Sequence, residues 1–151
     1  KVLKEVINES SQKVLIFVPF KHVIELLKEK LFKDGISNAV ISGGVSANRR
    51  TEIFKAFQTT HTPSGLIIQP QAAAHGVTLT AANTIVWWGP TASLETYAQA
   101  NARVHRSGQK HPCTVVQLQG PPVEKRMYRM LDERINVHTQ IIDLYKDVLE
   151  L

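Results

Sequence analysis

An α/β fold with a mainly parallel sheet and helices on both faces is the architecture that this sequence predicts. Short, continuously apolar runs, such as residues 14–18, are typical of strands that are buried on both faces. Segments with helical spacing of apolar residues lie between these runs, as at residues 21–33. Hydrophobic residues make up 43% of the 151 residues, which is enough to bury a core. Strands that alternate with helices imply right-handed crossovers and parallel pairing.

The apolar runs predict five strands, at residues 14–18, 38–42, 65–69, 84–88 and 113–118. Trp87 and Trp88 are adjacent in the fourth strand and face opposite ways, and we expect both to pack in the core. In parallel sheets, ligands bind outside the carboxyl ends of the strands. The loops expected to carry function therefore follow residues 18, 42, 69, 88 and 118.

Serine residues mark the start of two predicted helices. Ser46 is expected to cap a helix that runs to Phe57, which we expect in the core, and Ser93 to cap a helix that Gly108 ends. The helix over residues 21–33 is expected to bury Val23, Leu26, Leu27 and Leu31. A short helix precedes the first strand, and residues 122–151 read as a long helical stretch that packs against the sheet or a neighbouring lobe.

Composition and charge exclude several classes of protein. The net charge of +5 fits a nucleic-acid or nucleotide partner. The single cysteine, Cys113, excludes an internal disulfide and a cysteine-only zinc site, and the six histidines lack paired metal spacing. No apolar stretch approaches the roughly 20 residues of a membrane span, and we see no signal peptide. The first residue is Lys1 rather than Met, from which we expect that the chain was cut from a longer polypeptide.

The most informative segment is residues 99–109, Gln-Ala-Asn-Ala-Arg-Val-His-Arg-Ser-Gly-Gln. If the helix continues through it, Gln99, Arg103 and Arg106 fall at i, i+4 and i+7 on one face. Two guanidinium groups on one face are suited to gripping a polyphosphate, because each presents a planar fork of donors and stays charged. The alternative is a solvated basic face on an ordinary helix.

This segment resembles the sixth motif of superfamily-two helicases, in the form found in Swi/Snf-type DNA translocases, with Ala102 in place of the usual Asp. The resemblance extends over about residues 13–118. It includes a glycine turn followed by Arg50 and Phe57, and a divergent fifth motif at residues 69–80. It implies a RecA-like three-layer fold. Residues 1–151 would form a single helicase C-terminal domain, the second of two lobes, with residues 122–151 as a helical extension.

In the resembled family this lobe faces ATP and Mg²⁺ that are held mainly by a first lobe, which is missing from this chain. The resemblance implies that Arg106 is the arginine finger and that Arg103 is its companion at the γ-phosphate. Gln99 and Gly76 would complete the ATP contacts. No Gly-x-x-x-x-Gly-Lys-Ser/Thr loop occurs here, so we expect the chain alone to be inactive as an ATPase. No metal ligands are assigned.

The same resemblance implies contacts with a nucleic-acid backbone. Small residues at strand ends allow close approach of a phosphate, and amide, imidazole and hydroxyl groups can bond to it. The candidate residues are Gly43, Gly44, Arg50, Gln71, His75 and Thr78. The alternatives are an ordinary strand-to-helix turn with an exposed Arg50, and a small-residue loop that merely packs tightly.

These observations lead to one expected function and two alternatives. We expect the C-terminal lobe of a nucleic-acid-dependent ATPase, a helicase or translocase that acts on DNA, with RNA left open and no membrane partner. The departures from the family pattern suggest a divergent bacterial or phage type that works in the cytoplasm. The alternatives are a degenerate, non-catalytic RecA-like module that binds nucleic acid or a protein, and an unrelated α/β nucleotide-binding enzyme.

Overall fold

A computed structural model describes residues 2–10, 12–73, 78–91, 93–118 and 122–133. Within these residues the elements follow one another as α1 (Val2–Glu9), β1 (Lys13–Phe17), α2 (Lys21–Lys33), β2 (Asn38–Ile41), α3 (Ala47–Thr59), β3 (Gly65–Ile68), a 3₁₀ helix (Pro70–Ala73), β4 (Ala82–Trp87), α4 (Leu94–Asn101), β5 (Thr114–Gln117) and α5 (Pro122–Asp132). The part of the predicted C-terminal helix beyond residue 133 lies outside the described residues.

The five strands form one parallel sheet in the order β2-β3-β1-β4-β5. β1 is the central strand, with Leu15 opposite Leu66 of β3 and Ile85 of β4. Each apolar run yields a strand whose ends differ from the predicted ones by no more than two residues. The predicted parallel sheet is therefore confirmed.

The sheet is buried on both faces, as its continuous apolar strands predict. Leu15 and Phe17 of β1 belong to a core that is completed by side chains of α3, α4 and α5. Val14 and Ile16 point the other way, into a core that is completed by α1 and α2. The result is the predicted three-layer arrangement, with helices on both faces.

Most of the predicted helix boundaries are confirmed by hydrogen bonds. The Ser46 and Ser93 hydroxyls accept from the backbone N–H groups three residues ahead, as N-caps do. α2 ends at a Schellman motif, in which Gly35 has a φ of +77° and Ile36 N–H donates to Leu31 O at 2.9 Å.

The inward face of α2 differs from the predicted one. Leu26 is 67% exposed, and Ile24 is buried beside Leu27 and Leu31 instead. Three buried positions at 24, 27 and 31 fit one helical face better than the predicted set, because Leu26 lies about 100° away from its neighbour Leu27.

The prediction for α4 was wrong at its carboxyl end. The helix stops at Asn101, and residues 102–108 form turns, so Gln99, Arg103 and Arg106 do not share a helical face. Asn101 Oδ1 accepts from Trp87 Nε1 at 2.9 Å, and Arg103 O accepts from Leu79 N–H at 2.8 Å. The Arg103 carbonyl is therefore bonded to the segment before β4, while short-range bonds such as His105 N–H to Asn101 O remain within the turn. Gly108 has a φ of +93° but lies in the turns well beyond the helix end.

Among the described residues, we find no helix with the length and apolar character needed to cross a membrane.

Candidate functional site

Residues 102–110, which we call the arginine turn, connect α4 to β5 and carry both predicted arginine residues. Arg103 Nε donates to Gln99 O at 2.8 Å, so its guanidinium group satisfies a carbonyl in the last turn of α4. A cation at that end also interacts favourably with the helix dipole. The side chain of Gln99 bonds to Glu95 Oε1 on the same helix.

A glutamine fixes the arginine turn to the sheet. Gln109 Nε2 donates to Ala82 O at 2.9 Å and to Val104 O at 3.0 Å, and Gln109 Oε1 accepts from His111 N–H. Val104, which lies between the two arginine residues in the sequence, is fully buried. The buried Val104 side chain and the Gln109 amide therefore hold the turn in place, although it contains no regular helix.

The two guanidinium groups of the arginine turn affect each other electrostatically. Burial lowers the pKa of Arg103, and the nearby charge of Arg106 lowers it further. Arg103 is half-buried and Arg106 is exposed. The two side chains are therefore near enough for the charge of one to act on the other.

The arginine turn does not lie where the sequence placed the functional loops. It contacts Leu79 and Ala82, which precede or begin β4, and so it lies at the amino-terminal edge of the sheet. The predicted loops after the strands lie at the opposite, carboxyl edge. The structure therefore separates Arg103 and Arg106 from the predicted glycine turn by about the length of a strand.

The loop of residues 42–45, which we call the glycine loop, is held from two sides. Gly43 N–H donates to Gln69 Oε1 at 3.0 Å. Arg50 donates through Nε to Val45 O at 3.1 Å and through Nη2 to Ser42 O at 2.9 Å. Arg50 therefore bonds to both ends of the glycine loop, a role that the sequence did not predict.

A groove of about 540 Å³ runs beside α3 and contains two of the predicted nucleic-acid residues, Arg50 and Thr78. Its other lining residues are Ala47, Thr51, Phe54, Lys55, Gln58 and Ala72. We call it the α3 groove. Gln71 is exposed in the adjoining 3₁₀ helix, whereas His75 and Gly76 lie outside the described residues.

Gln58 was missed by the sequence analysis. Its amide joins the α3 groove to the chain that leads into β4, since Ala81 N–H donates to Gln58 Oε1 at 2.6 Å and Gln58 Nε2 donates to Thr80 Oγ1 at 3.3 Å. A glutamine just after a buried phenylalanine gives no signal in the sequence, because its partners are more than 20 residues away.

A second cavity, of about 700 Å³, lies between α4, β5 and α5. Tyr97 Oη accepts from Gln117 Nε2 at 2.9 Å, and Gln117 Nε2 also donates to Asp132 Oδ1 at 3.0 Å. Burial raises the pKa of Tyr97. These bonds join α4 and α5 to the edge strand β5. The polar groups of the cavity therefore have a structural role in holding these elements together.

No group of three His, Cys, Asp or Glu residues suited to a metal ion occurs in the part of the chain that the structure describes. The described residues therefore do not supply a ligand set for Mg²⁺.

Comparison with known proteins gives the family. The model of the helicase conserved C-terminal domain matches residues 1–108, and the chain therefore belongs to that family. This result confirms the predicted identity as the second, RecA-like lobe of a Swi/Snf-like superfamily-two protein.

Individual relatives agree with this assignment. The chain is 30% identical to an uncharacterized ATP-dependent helicase of Mycoplasma pneumoniae over 73% of its length, and 30% identical to the DNA repair protein rad8 of Schizosaccharomyces pombe over 87% of its length. It spans only 11% and 12% of those proteins. The crystal structure of the C-terminal part of the Fun30 ATPase domain matches with a TM-score of 0.79 at 22% identity, covering 86% of this chain and 44% of that one. That match confirms the RecA-like fold.

Proposed function

We propose that this chain is the C-terminal lobe of a DNA-dependent ATPase, in which Arg106 acts as the arginine finger on ATP held by a first lobe of the same polypeptide. Arg103 is its companion, and Gln99 supports the turn through its backbone carbonyl. The observation that carries the proposal is the arginine turn itself: two guanidinium groups on a clamped, partly exposed turn, in a chain of the helicase C-terminal family.

The chemistry asked of this lobe is charge stabilisation. ATP with Mg²⁺ would supply the phosphoryl group and the metal, and both would be held mainly by the first lobe. Arg106 would neutralise charge that develops on the γ-phosphate as the bond breaks. Arg103 is held by Gln99 O and by the Leu79 contact, so it would keep Arg106 in position and add positive charge. Pre-set cations of this kind need no reorganisation during the reaction.

DNA would bind along the carboxyl edge and the α3 groove. The glycine loop presents backbone at the surface, and Arg50 and Gln69 keep that loop in one conformation. Arg50, Lys55 and Thr78 line the groove with positive charge and hydroxyl groups, which suit phosphate oxygens. Gln71 would add an exposed amide beside them. In this proposal the DNA site and the ATP site lie at opposite edges of the sheet.

Replacing the finger in the full-length polypeptide tests the ATPase assignment. In the Arg106→Ala variant we expect DNA-stimulated ATP turnover to fall by about 10³-fold or more, because a finger acts mainly on the transition state. ATP binding should be largely retained. Steady-state ATPase assays and equilibrium binding of a fluorescent ATP analogue give the two quantities.

The Arg126→Ala variant is the matched control, since it removes an exposed arginine on α5. It should leave turnover unchanged. Unchanged turnover in Arg106→Ala would remove the finger assignment. If the reading frame lacked a Gly-x-x-x-x-Gly-Lys-Ser/Thr loop before this lobe, a non-catalytic RecA-like module would be favoured instead.

A further inference from the structure

The side chain of Gln58 holds the short segment that leads into β4. Gln58 Oε1 accepts from Ala81 N–H at 2.6 Å, while its Nε2 donates to Thr80 Oγ1 at 3.3 Å. Both ends of the amide are used, on two consecutive residues, and both contacts are partly buried. Residues 78–82, which we call the linking segment, are thereby fixed against α3.

The other side of the linking segment is bonded to the arginine turn. Leu79 N–H donates to Arg103 O at 2.8 Å, and Ala82 O accepts from Gln109 Nε2 at 2.9 Å. The Leu79 side chain is fully buried in the core that α3 and α4 share. The linking segment therefore lies between α3 and the arginine turn, with hydrogen bonds to both.

The α3 groove reaches this segment directly. Gln58 and Thr78 both line it, so a ligand in the groove lies against the Gln58 amide and the first residue of the linking segment. We propose that Gln58 is a positioning residue that couples occupancy of the α3 groove to the placement of Arg103 and Arg106. This inference rests on the proposed function, which assigns DNA to the groove and ATP to the arginine turn.

The physical basis is the way in which the arginine turn is held. Its own backbone hydrogen bonds span no more than four residues, and the bonds from Leu79 and Gln109 join it to the residues that lead into β4. A densely packed core transmits a small displacement instead of absorbing it. A displacement of about 1 Å in a catalytic group is enough to change the rate strongly. Binding in the groove can therefore alter turnover without contact between DNA and either arginine.

The test is the ratio of DNA-stimulated to basal ATP turnover in the full-length polypeptide, with a duplex DNA oligonucleotide as the probe. In Gln58→Leu, which keeps the side-chain size and removes both hydrogen bonds, we expect this ratio to fall about tenfold. The affinity for duplex DNA, measured by fluorescence anisotropy, should fall by much less. Gln12→Leu makes the same chemical change at an exposed position and should change neither quantity.

Thr80→Val provides a second variant, in case Gln58→Leu fails to fold. It removes the hydroxyl partner of Gln58 and retains the shape of the side chain and the lining of the groove. The ratio should fall in the same direction, with unchanged affinity for DNA. A ratio equal to that of the wild type in folded Thr80→Val and Gln58→Leu would overturn the inference.

Hydrogen exchange supplies a readout that a purely structural role would not change. Adding duplex DNA to the wild type should slow exchange at residues 47–55, at the linking segment and at residues 103–106. In Gln58→Leu, protection should persist at residues 47–55 and be lost at 103–106. Equal protection of the arginine turn in both proteins would contradict the proposal. Wild-type protein that binds no DNA would overturn the proposed function together with this inference, whereas stimulation that survives in both variants would overturn this inference alone.

Discussion

Three glutamine residues, Gln58, Gln69 and Gln109, hold the loops around the candidate sites. Each uses its amide on backbone groups that are distant in sequence, so each fixes a loop that has no regular structure of its own. An amide offers a donor and an acceptor without charge, and it can satisfy partly buried backbone groups at little electrostatic cost. Gln109 in this way holds the turn that carries Arg103 and Arg106.

Phe57 and Phe32 allow the contribution of burial to be measured with one chemical change. Phe57 is fully buried and Phe32 is 79% exposed. We expect Phe57→Ala to lower the free energy of unfolding by about 3–5 kcal/mol, through lost transfer energy and a cavity. Phe32→Ala should change it by less than about 0.5 kcal/mol. Urea denaturation followed by circular dichroism gives both values, and similar losses in the two variants would contradict the described core.

Burial was predicted correctly for Phe57 and wrongly for Leu26, and the partners of long polar side chains were not predicted. Phe57 was expected in the core and lies there, because its helix has apolar residues at helical spacing. Arg50 was expected to contact a nucleic acid. In the structure its guanidinium group donates hydrogen bonds to Ser42 O and Val45 O. Local sequence cannot specify which carbonyl groups a long side chain will meet after the chain has turned.

α4 and the arginine turn show how tertiary bonds override helical propensity. The residues after Asn101 include alanine and arginine, which are good helix formers, and the pattern predicts that the helix continues. Leu79 N–H bonds to the Arg103 carbonyl and Trp87 Nε1 bonds to the Asn101 side chain, at the point where the helix stops. Within the described residues the five strands and the start of each capped helix were predicted correctly, since buried strands and capped helices carry local signals. The strand order was not predicted, because order depends on pairings between distant segments.

The end of α2 offers a test of a single backbone conformation. Gly35 has a φ of +77°, and a Cβ added there would meet no atom within 4 Å. The cost of Gly35→Ala is therefore conformational, and we expect a loss of about 1–2 kcal/mol in the free energy of unfolding. Gly44→Ala, also with open space but without a positive φ, should change stability by less than about 0.5 kcal/mol. Thermal unfolding of both variants measures the difference, and equal stabilities would contradict the Schellman end of α2.

The positive charge of the lobe leads to a prediction about salt. If roughly three phosphates are neutralised, raising monovalent salt about fourfold should weaken duplex DNA binding by about 40-fold. Lys55→Met, in the α3 groove, should reduce the slope of log affinity against log salt by about one. Lys28→Met, on the exposed side of α2, should leave that slope unchanged. Fluorescence anisotropy titrations at several salt concentrations test this, and equal slopes for the two variants would place the DNA elsewhere.

The central position of β1 has a consequence for how the protein is made. β1 precedes the other four described strands of this lobe in the sequence, and it is fully apolar from Val14 to Phe17. Its two neighbours begin only at Gly65 and Ala82, so the nascent strand has no native partner while most of the lobe is still being translated. Parallel pairing between segments so far apart in sequence is slow, and the unpaired strand edges are prone to aggregation in the meantime. We therefore expect the folding yield of this lobe during synthesis to depend on chaperones that cover β1 until β4 has emerged.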